Sequence, residues 1–166
     1  MTMRSESIIR ELEHEAGQTR KMLQRVPMDE KDWKPHEKSM SLGRLATHVA
    51  ELPRWITMTL TTKELDLMNP PWKTNKAGTT SELVALHDES MRMAVDALKS
   101  ATDDAMMEKW SLRRGEQVFF SMPRISVIRT MSMNHIIHHR GQLSVFLRLL
   151  GVPVPGKYGP SADDNA

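Results

Sequence analysis

The chain contains no cysteine. Disulfides, thiolate metal ligands and a cysteine nucleophile are therefore excluded, and the composition suits a reducing compartment. Aromatic residues are scarce, with a single tyrosine. No apolar run approaches the ~20 residues of a membrane span, and the polar start at Thr2, Arg4, Ser5 and Glu6 does not read as a signal peptide, so the expected location is the cytoplasm. Neither sign of charge dominates: 23 basic residues against 21 acidic ones leave a formal +2. That balance gives no reason to expect nucleic acid or a membrane as partner. Arg113-Arg114 and the pair Arg124/Arg129 are the local basic clusters, and they read as solvated surface. There is no internal repeat. A length of 166 residues fits one domain, 1–160, followed by a small polar tail, 161–166, expected to be flexible.

Methionine is abundant, at fourteen, and core filling is its expected use. Four stretches carry helical periodicity. In Ser5–Val26, Ile8, Leu12, Thr19, Leu23 and Val26 recur at three- and four-residue steps around Ala16, and Pro27 stops the run. After a connector holding Trp33, Pro35 and His36, Ser39 or Ser41 offers an N-cap for Leu42–Leu60. Its stripe is Leu45, His48/Val49, Leu52 and Ile56, with a kink expected at Pro53. Asn69-Pro70-Pro71-Trp72 reads as loop. Thr79 and Glu82 form a capping-box pattern ahead of Ser81–Ser100, whose inward residues are expected to be Leu83, Leu86, Ser90, Ala94 and Ala97. Trp110, Leu112, Val118 and Phe120 alternate around Arg114-Gly115, which predicts a short hairpin or extended insertion. The last helix is expected over Arg124–Leu150, stopped by Gly151 and Pro153. The fold class that follows is all-α, an antiparallel helix bundle.

Seven histidines occur. His135 and His139 lie four residues apart, so their rings project from nearly the same helix face. That face is expected to be buried, continued by Ile128, Met131, Gln142, Phe146 and Leu149. His48 lies on the stripe of the second helix, and a bundle brings such stripes together. Three imidazoles then converge as a donor set for Zn²⁺, Ni²⁺ or Fe²⁺. The plainer reading is that each is a hydrogen-bonded core histidine. His138 competes for the pairing with His135, but its direction is displaced to one edge of the stripe, which suits a supporting or interface role. His87 is a weaker candidate for a fourth ligand. His14 and His36 read as surface or loop residues.

Asn134-His135-Ile136-Ile137-His138-His139-Arg140-Gly141-Gln142, running on to Leu150-Gly151-Val152-Pro153, resembles the last helix of the DinB (damage-inducible) family of YfiT-like metalloenzymes. Trp33-Lys34-Pro35-His36 to Ser41-Leu42, then Leu45-Ala46-Thr47-His48-Val49-Ala50-Glu51-Leu52-Pro53-Arg54-Trp55, is similar to its second-helix segment. The resemblance covers roughly Leu23 to Pro160. It implies a four-helix bundle with up-down-down-up connectivity, a homodimer, and a metal triad at His48, His135 and His139 holding zinc, nickel or iron. It also implies thiol-dependent transfer or isomerisation with a low-molecular-weight thiol, on a small-molecule substrate.

Three functions are therefore carried forward. The first is a metal-dependent transferase joining a small thiol to an electrophile. The second is a metal-dependent hydrolase, with Glu51, one turn from His48, as base or as a supporting partner of the ligands, or equally as an exposed surface residue. The third is a non-catalytic metal-binding stress-response protein, which a closed fourth ligand such as His87 would favour. Arg140, Gln142 and Arg148 are candidates for orienting a substrate, Arg140 equally for a buried or interfacial ion pair. No residue is assigned a catalytic role. Apolar Ile136, Val145 and Leu147 on the last helix are expected to serve a dimer contact.

Overall fold

The computed structural model describes residues 2–70 and 76–164. Helix α1 spans Met3–Leu23, capped by the Thr2 hydroxyl, which accepts from Ser5 N. A 3₁₀ turn at Met28–Glu30 follows Pro27. The connector then folds back on the start of α2, Leu42–Glu51, where Gly43 N donates to the Lys31 carbonyl at 2.8 Å. A Cβ at Gly43 would stand 2.8 Å from the Lys31 Cβ, so glycine is required by the close approach. Of the two serines offered as cap, Ser41 is the one used, accepting from Arg44 N.

Pro53 has no N–H for the carbonyl four residues back, and the helix breaks there into α2 and α3, Arg54–Thr61. Strand β1, Glu64–Asp66, follows. Pro70 closes a turn-containing segment, while the Pro71-Trp72 part of the expected loop lies outside the described residues. Helix α4, Thr80–Ser100, starts with the anticipated capping box between Thr79 and Glu82. A short helix α5, Asp103–Met107, leads into β2, Lys109–Arg114, and β3, Gln117–Pro123. The last helical run begins with α6, Arg124–Val127, passes through a π-helical segment at Ile128–Met133, and continues as α7, Asn134–Leu149. It ends in a Schellman turn: Val152 N donates to the Leu147 carbonyl, Gly151 N to that of Arg148, and Gly151 takes φ +71°.

The fold is thus mostly helical, with a three-stranded sheet ordered β1-β2-β3. The four expected helical stretches are helical, but in more pieces than periodicity predicts. The hairpin β2–β3 is antiparallel, as the alternation suggests, and turns at Gly115, φ +58°. Strand β1, parallel to β2, was not expected. It carries one buried apolar residue, Leu65, too little for a strand signal. Arg113 draws it in instead, reaching Glu64 at 2.6 Å and Asp66 at 2.7 Å.

Helix α4 packs on α1, α2 and α3, and α7 on α1 and α2. One part of the core gathers Met22, Leu23, Leu42, Leu45, Val49, Leu143 and Leu147; another gathers Ile8, Leu12, Leu52, Ile56, Leu98, Ile128 and Ile136. Trp110, wholly buried, anchors the sheet, with its Nε1 donating to the Thr62 hydroxyl.

Several expectations about side chains need correction. Among the described methionines only Met22, Met28, Met106 and Met133 are buried, while Met3, Met68 and Met107 are exposed. The inward residues of α4 are Leu83, His87, Ser90, Ala94 and Leu98, so Leu98 replaces Ala97 and His87 replaces Leu86. On the last helix Gln142 and Leu149 are exposed, and the buried stripe runs Ile136, His139/Arg140, Leu143, Phe146/Leu147. The face that α7 packs on α1 and α2 is centred on Ile136, Arg140, Leu143 and Leu147, about one residue round from the expected stripe, which leaves Gln142 and Leu149 outside it. Arg124 is not solvated surface: it is buried, pairs with Glu108 and donates to the Thr62 carbonyl. Ile136 and Leu147 are buried within the chain, which leaves Val145 alone of the three proposed for a dimer contact. In the expected tail, Asp163 accepts from Val154 N and Asp164 from Gly156 N; residues 165–166 lie outside the described residues.

Candidate metal centre

Helix α2 buries Leu45, Ala46, Val49 and Ala50, and this seating leaves His48 at the edge of the stripe, half-buried and facing α7. On α7 the four-residue spacing stacks His135 and His139 on one side. The segment before them is held to the break in the α2/α3 region, because the buried Ser132 hydroxyl donates to the Leu52 carbonyl at 3.0 Å. Thus the Pro53 break and the π segment pack on each other next to the histidines.

The three rings converge. His139 Nε2 lies 2.8 Å from His135 Nε2, and His48 Nε2 lies 3.5 Å from His135 Nε2. One ligand nitrogen from each residue falls within 4.8 Å of the others, and among the described residues this is the group able to hold a metal ion. All three sequence-selected ligands are therefore together.

The ring protons can be placed by their partners. His139 Nδ1 lies 2.7 Å from Gln142 Oε1, and His135 Nδ1 lies 3.4 Å from the Met131 carbonyl. Both oxygens accept, so each Nδ1 carries the single proton of a neutral imidazole, and each Nε2 presents a lone pair. Two lone pairs facing each other at 2.8 Å repel. A cation between them removes that repulsion. Ring protonation is the other remedy, but the surroundings oppose it. Burial pushes His48 down to about 4, with the neighbouring His139, His135 and Arg44 adding to the effect. Burial also lowers His135, helped by His139, and lowers His139, against the opposing Gln142 hydrogen bond. The rings are thus held neutral at pH 7, the state in which imidazole binds metal.

The donor set fits a divalent ion. Zinc–nitrogen bonds of about 2.0–2.1 Å in a tetrahedron set ligand nitrogens roughly 3.3 Å apart; the two separations to His135 Nε2, 2.8 and 3.5 Å, lie on either side of that value, and all three ligand nitrogens lie within 4.8 Å of one another. Three imidazoles suit zinc, nickel or iron alike.

The remaining candidates fall elsewhere. His87 is buried in α4 beside Asp88, at 3.5 Å, and does not join the group. His138 is exposed, its ring edge-on to His139. Glu51 is half-buried in the last turn of α2. Arg148 pairs with Asp163. Arg140 is buried in an ion pair with Glu15 at 2.5 Å and also donates to the Glu15 carbonyl, the Thr19 hydroxyl and the Tyr158 hydroxyl. Sequence reasoning missed the role of Gln142 as acceptor for His139; its position three residues on, within side-chain reach on a helix, was the available signal. It also missed Glu15, taken as neither core nor partner.

The sequence model of the DinB family matches residues 1–166. The chain is 28% identical over 156 residues to the uncharacterized protein YrdA of Bacillus subtilis (strain 168), covering 93% of this chain and 87% of that one. Its fold is similar to the crystal structure of a DinB-like protein from Bacillus cereus ATCC 10987, with a TM-score of 0.66, 24% identity, and 87% and 91% of the two chains covered. It is also similar to the DinB-like protein YjoA of Bacillus subtilis, with a TM-score of 0.68, 19% identity, and 89% and 96% covered.

Proposed function

The chain belongs to the DinB family, and from that premise we propose that His48, His135 and His139 hold one divalent ion, zinc, nickel or iron, in an enzyme that joins a low-molecular-weight thiol to an electrophilic small molecule. The observation that carries the reading is the convergence of three imidazoles, one ligand nitrogen from each lying within 4.8 Å of the others. A divalent ion held by neutral ligands keeps its full charge and lowers the pKa of a thiol or water toward neutrality.

The chain's own residues supply the rest. Gln142 and the Met131 carbonyl hold two of the rings in the tautomer and orientation that a ligand needs. Burial keeps all three uncharged. Among the described residues no fourth histidine or carboxylate joins the group, which supports an open side for substrate and favours an enzyme over a closed structural site. The same proposal takes residues 1–160 as one domain, a four-helix bundle of up-down-down-up connectivity that acts as a homodimer on a small molecule rather than on nucleic acid or a membrane. No helix among the described residues is long and apolar enough to cross a membrane.

Metal analysis of untagged protein purified without a nickel column tests the first step: about one divalent ion per chain is expected, and none in the His135→Ala/His139→Ala variant. The metal-loaded protein is then expected to accelerate the coupling of cysteine, glutathione or coenzyme A to 1-chloro-2,4-dinitrobenzene, followed by absorbance. Metal-dependent hydrolysis of p-nitrophenyl acetate with no thiol coupling would replace the transferase by a hydrolase. Light scattering at micromolar concentration reads the dimer.

A further inference from the structure

A groove of about 270 Å³ is lined by Ser39, Met40, Leu45, Gln142, Val145 and Phe146. On α2, Leu45 precedes His48 by three residues. On α7, Gln142, Val145 and Phe146 follow His139 by three, six and seven. The three- and seven-residue steps keep to one helix face and Val145 stands at its edge, so the groove occupies the part of the α2–α7 seam that follows the imidazoles, beginning about 5 Å along. The two places meet at Gln142, which accepts from His139 Nδ1 and also forms part of the groove wall. Four of the six lining side chains are apolar and none is charged. Val145 is 56% exposed on the helix that carries two of the histidines.

We propose that this groove binds the aliphatic tail of the electrophilic substrate while the polar head reaches the open side of the three imidazoles. The substrate class is then an amphipathic small molecule with an uncharged alkyl tail. This inference rests on the metal reading above. A charged tail would lose its hydration here without gaining an ion-pair partner, whereas methylene groups gain by leaving water.

The test uses the full-length, untagged, zinc-loaded protein, titrated calorimetrically with acetohydroxamate and octanohydroxamate, which share a metal-chelating head and differ in the tail. Full burial of a methylene is worth about threefold in affinity or somewhat more. Octanohydroxamate is therefore expected to bind at least about 30-fold more tightly than acetohydroxamate, since part of its tail enters the groove. The ratio should collapse in Met40→Asp and in Val145→Asp, and persist in Val118→Asp, which alters an equally exposed apolar residue on the hairpin. Circular dichroism checks the fold of each variant, and the second groove variant stands in where the first does not fold. A wild-type ratio near one, or a ratio that survives both groove variants, overturns the groove while zinc-dependent acetohydroxamate binding leaves the metal reading standing. Acetohydroxamate binding that does not depend on zinc overturns the metal reading and this proposal with it.

Discussion

His139 and Arg140 are neighbours on α7 and both are buried, yet their surroundings are built in opposite ways. Around Arg140 every hydrogen-bond partner is complementary. Its guanidinium meets the Glu15 carboxylate and carbonyl, the Thr19 hydroxyl and the Tyr158 hydroxyl, and Tyr158 in turn donates to Glu15. Donors face acceptors, so the cluster is closed. Around His139 the outer nitrogen is satisfied by Gln142, but the inner one faces another acceptor, His135 Nε2. A buried cluster whose donors and acceptors match contributes to holding helices together. One whose acceptors converge is left with a need that only a cation or a proton meets, and burial there disfavours the proton.

The closed cluster should therefore break by stability. Arg140→Met leaves the Glu15 carboxylate buried without its ion-pair partner, and about 3–5 kcal/mol of unfolding free energy should be lost, as read by urea denaturation. The double variant Arg140→Met/Glu15→Leu should recover much of it. Zinc uptake should persist in both wherever the protein folds; a parallel loss of uptake would merge the two clusters into one.

The open cluster should break by ligand binding instead. His139→Ala should weaken zinc binding on the order of 10³-fold in a chelator competition, with the apo fold retained, while His14→Ala changes nothing. A smaller step comes from Gln142→Ala, which leaves all three ligands in place but removes the acceptor that orients His139. Roughly 10- to 100-fold in zinc affinity is expected, in line with other supporting partners of metal ligands. Gln142→Glu, which keeps an acceptor oxygen, should restore most of it.

The pH dependence of apo stability sharpens the contrast further. In the unfolded chain His48 has its ordinary pKa of 6.5, and in the folded chain about 4. Between these values the unfolded state binds more protons, so this contribution to stability is fully present above pH 6.5 and is lost as pH falls toward 4. His48→Gln should flatten that part of the wild-type curve; an unchanged slope between pH 4 and 6.5 would remove burial as the reason for its neutrality. The smallest expected effect lies outside both clusters: Thr79→Ala should cost about 1 kcal/mol through the lost cap of α4.

Much of this was legible along the chain because its causes are local. Apolar spacing marks the helical stretches; Ser41 and Thr79 mark starts; Pro53 and Gly151 mark a break and a stop. These depend on backbone donors and side chains a few residues apart. The pairing of His135 with His139 is local too, being one turn of helix. The arrival of His48 is not, and followed only from the expectation that apolar stripes meet. The phase of the buried face of α7, the seating of Ser132 on the Leu52 carbonyl, the burial of Glu15 beside Arg140 and the recruitment of β1 by Arg113 had no sequence signature, since each is set by packing against elements tens of positions away. The sequence by itself determined which residues could be ligands and which helices carry them. Only the tertiary structure decided that the three rings converge and are buried enough to stay neutral, because convergence and burial are properties of packed helices and not of either helix alone.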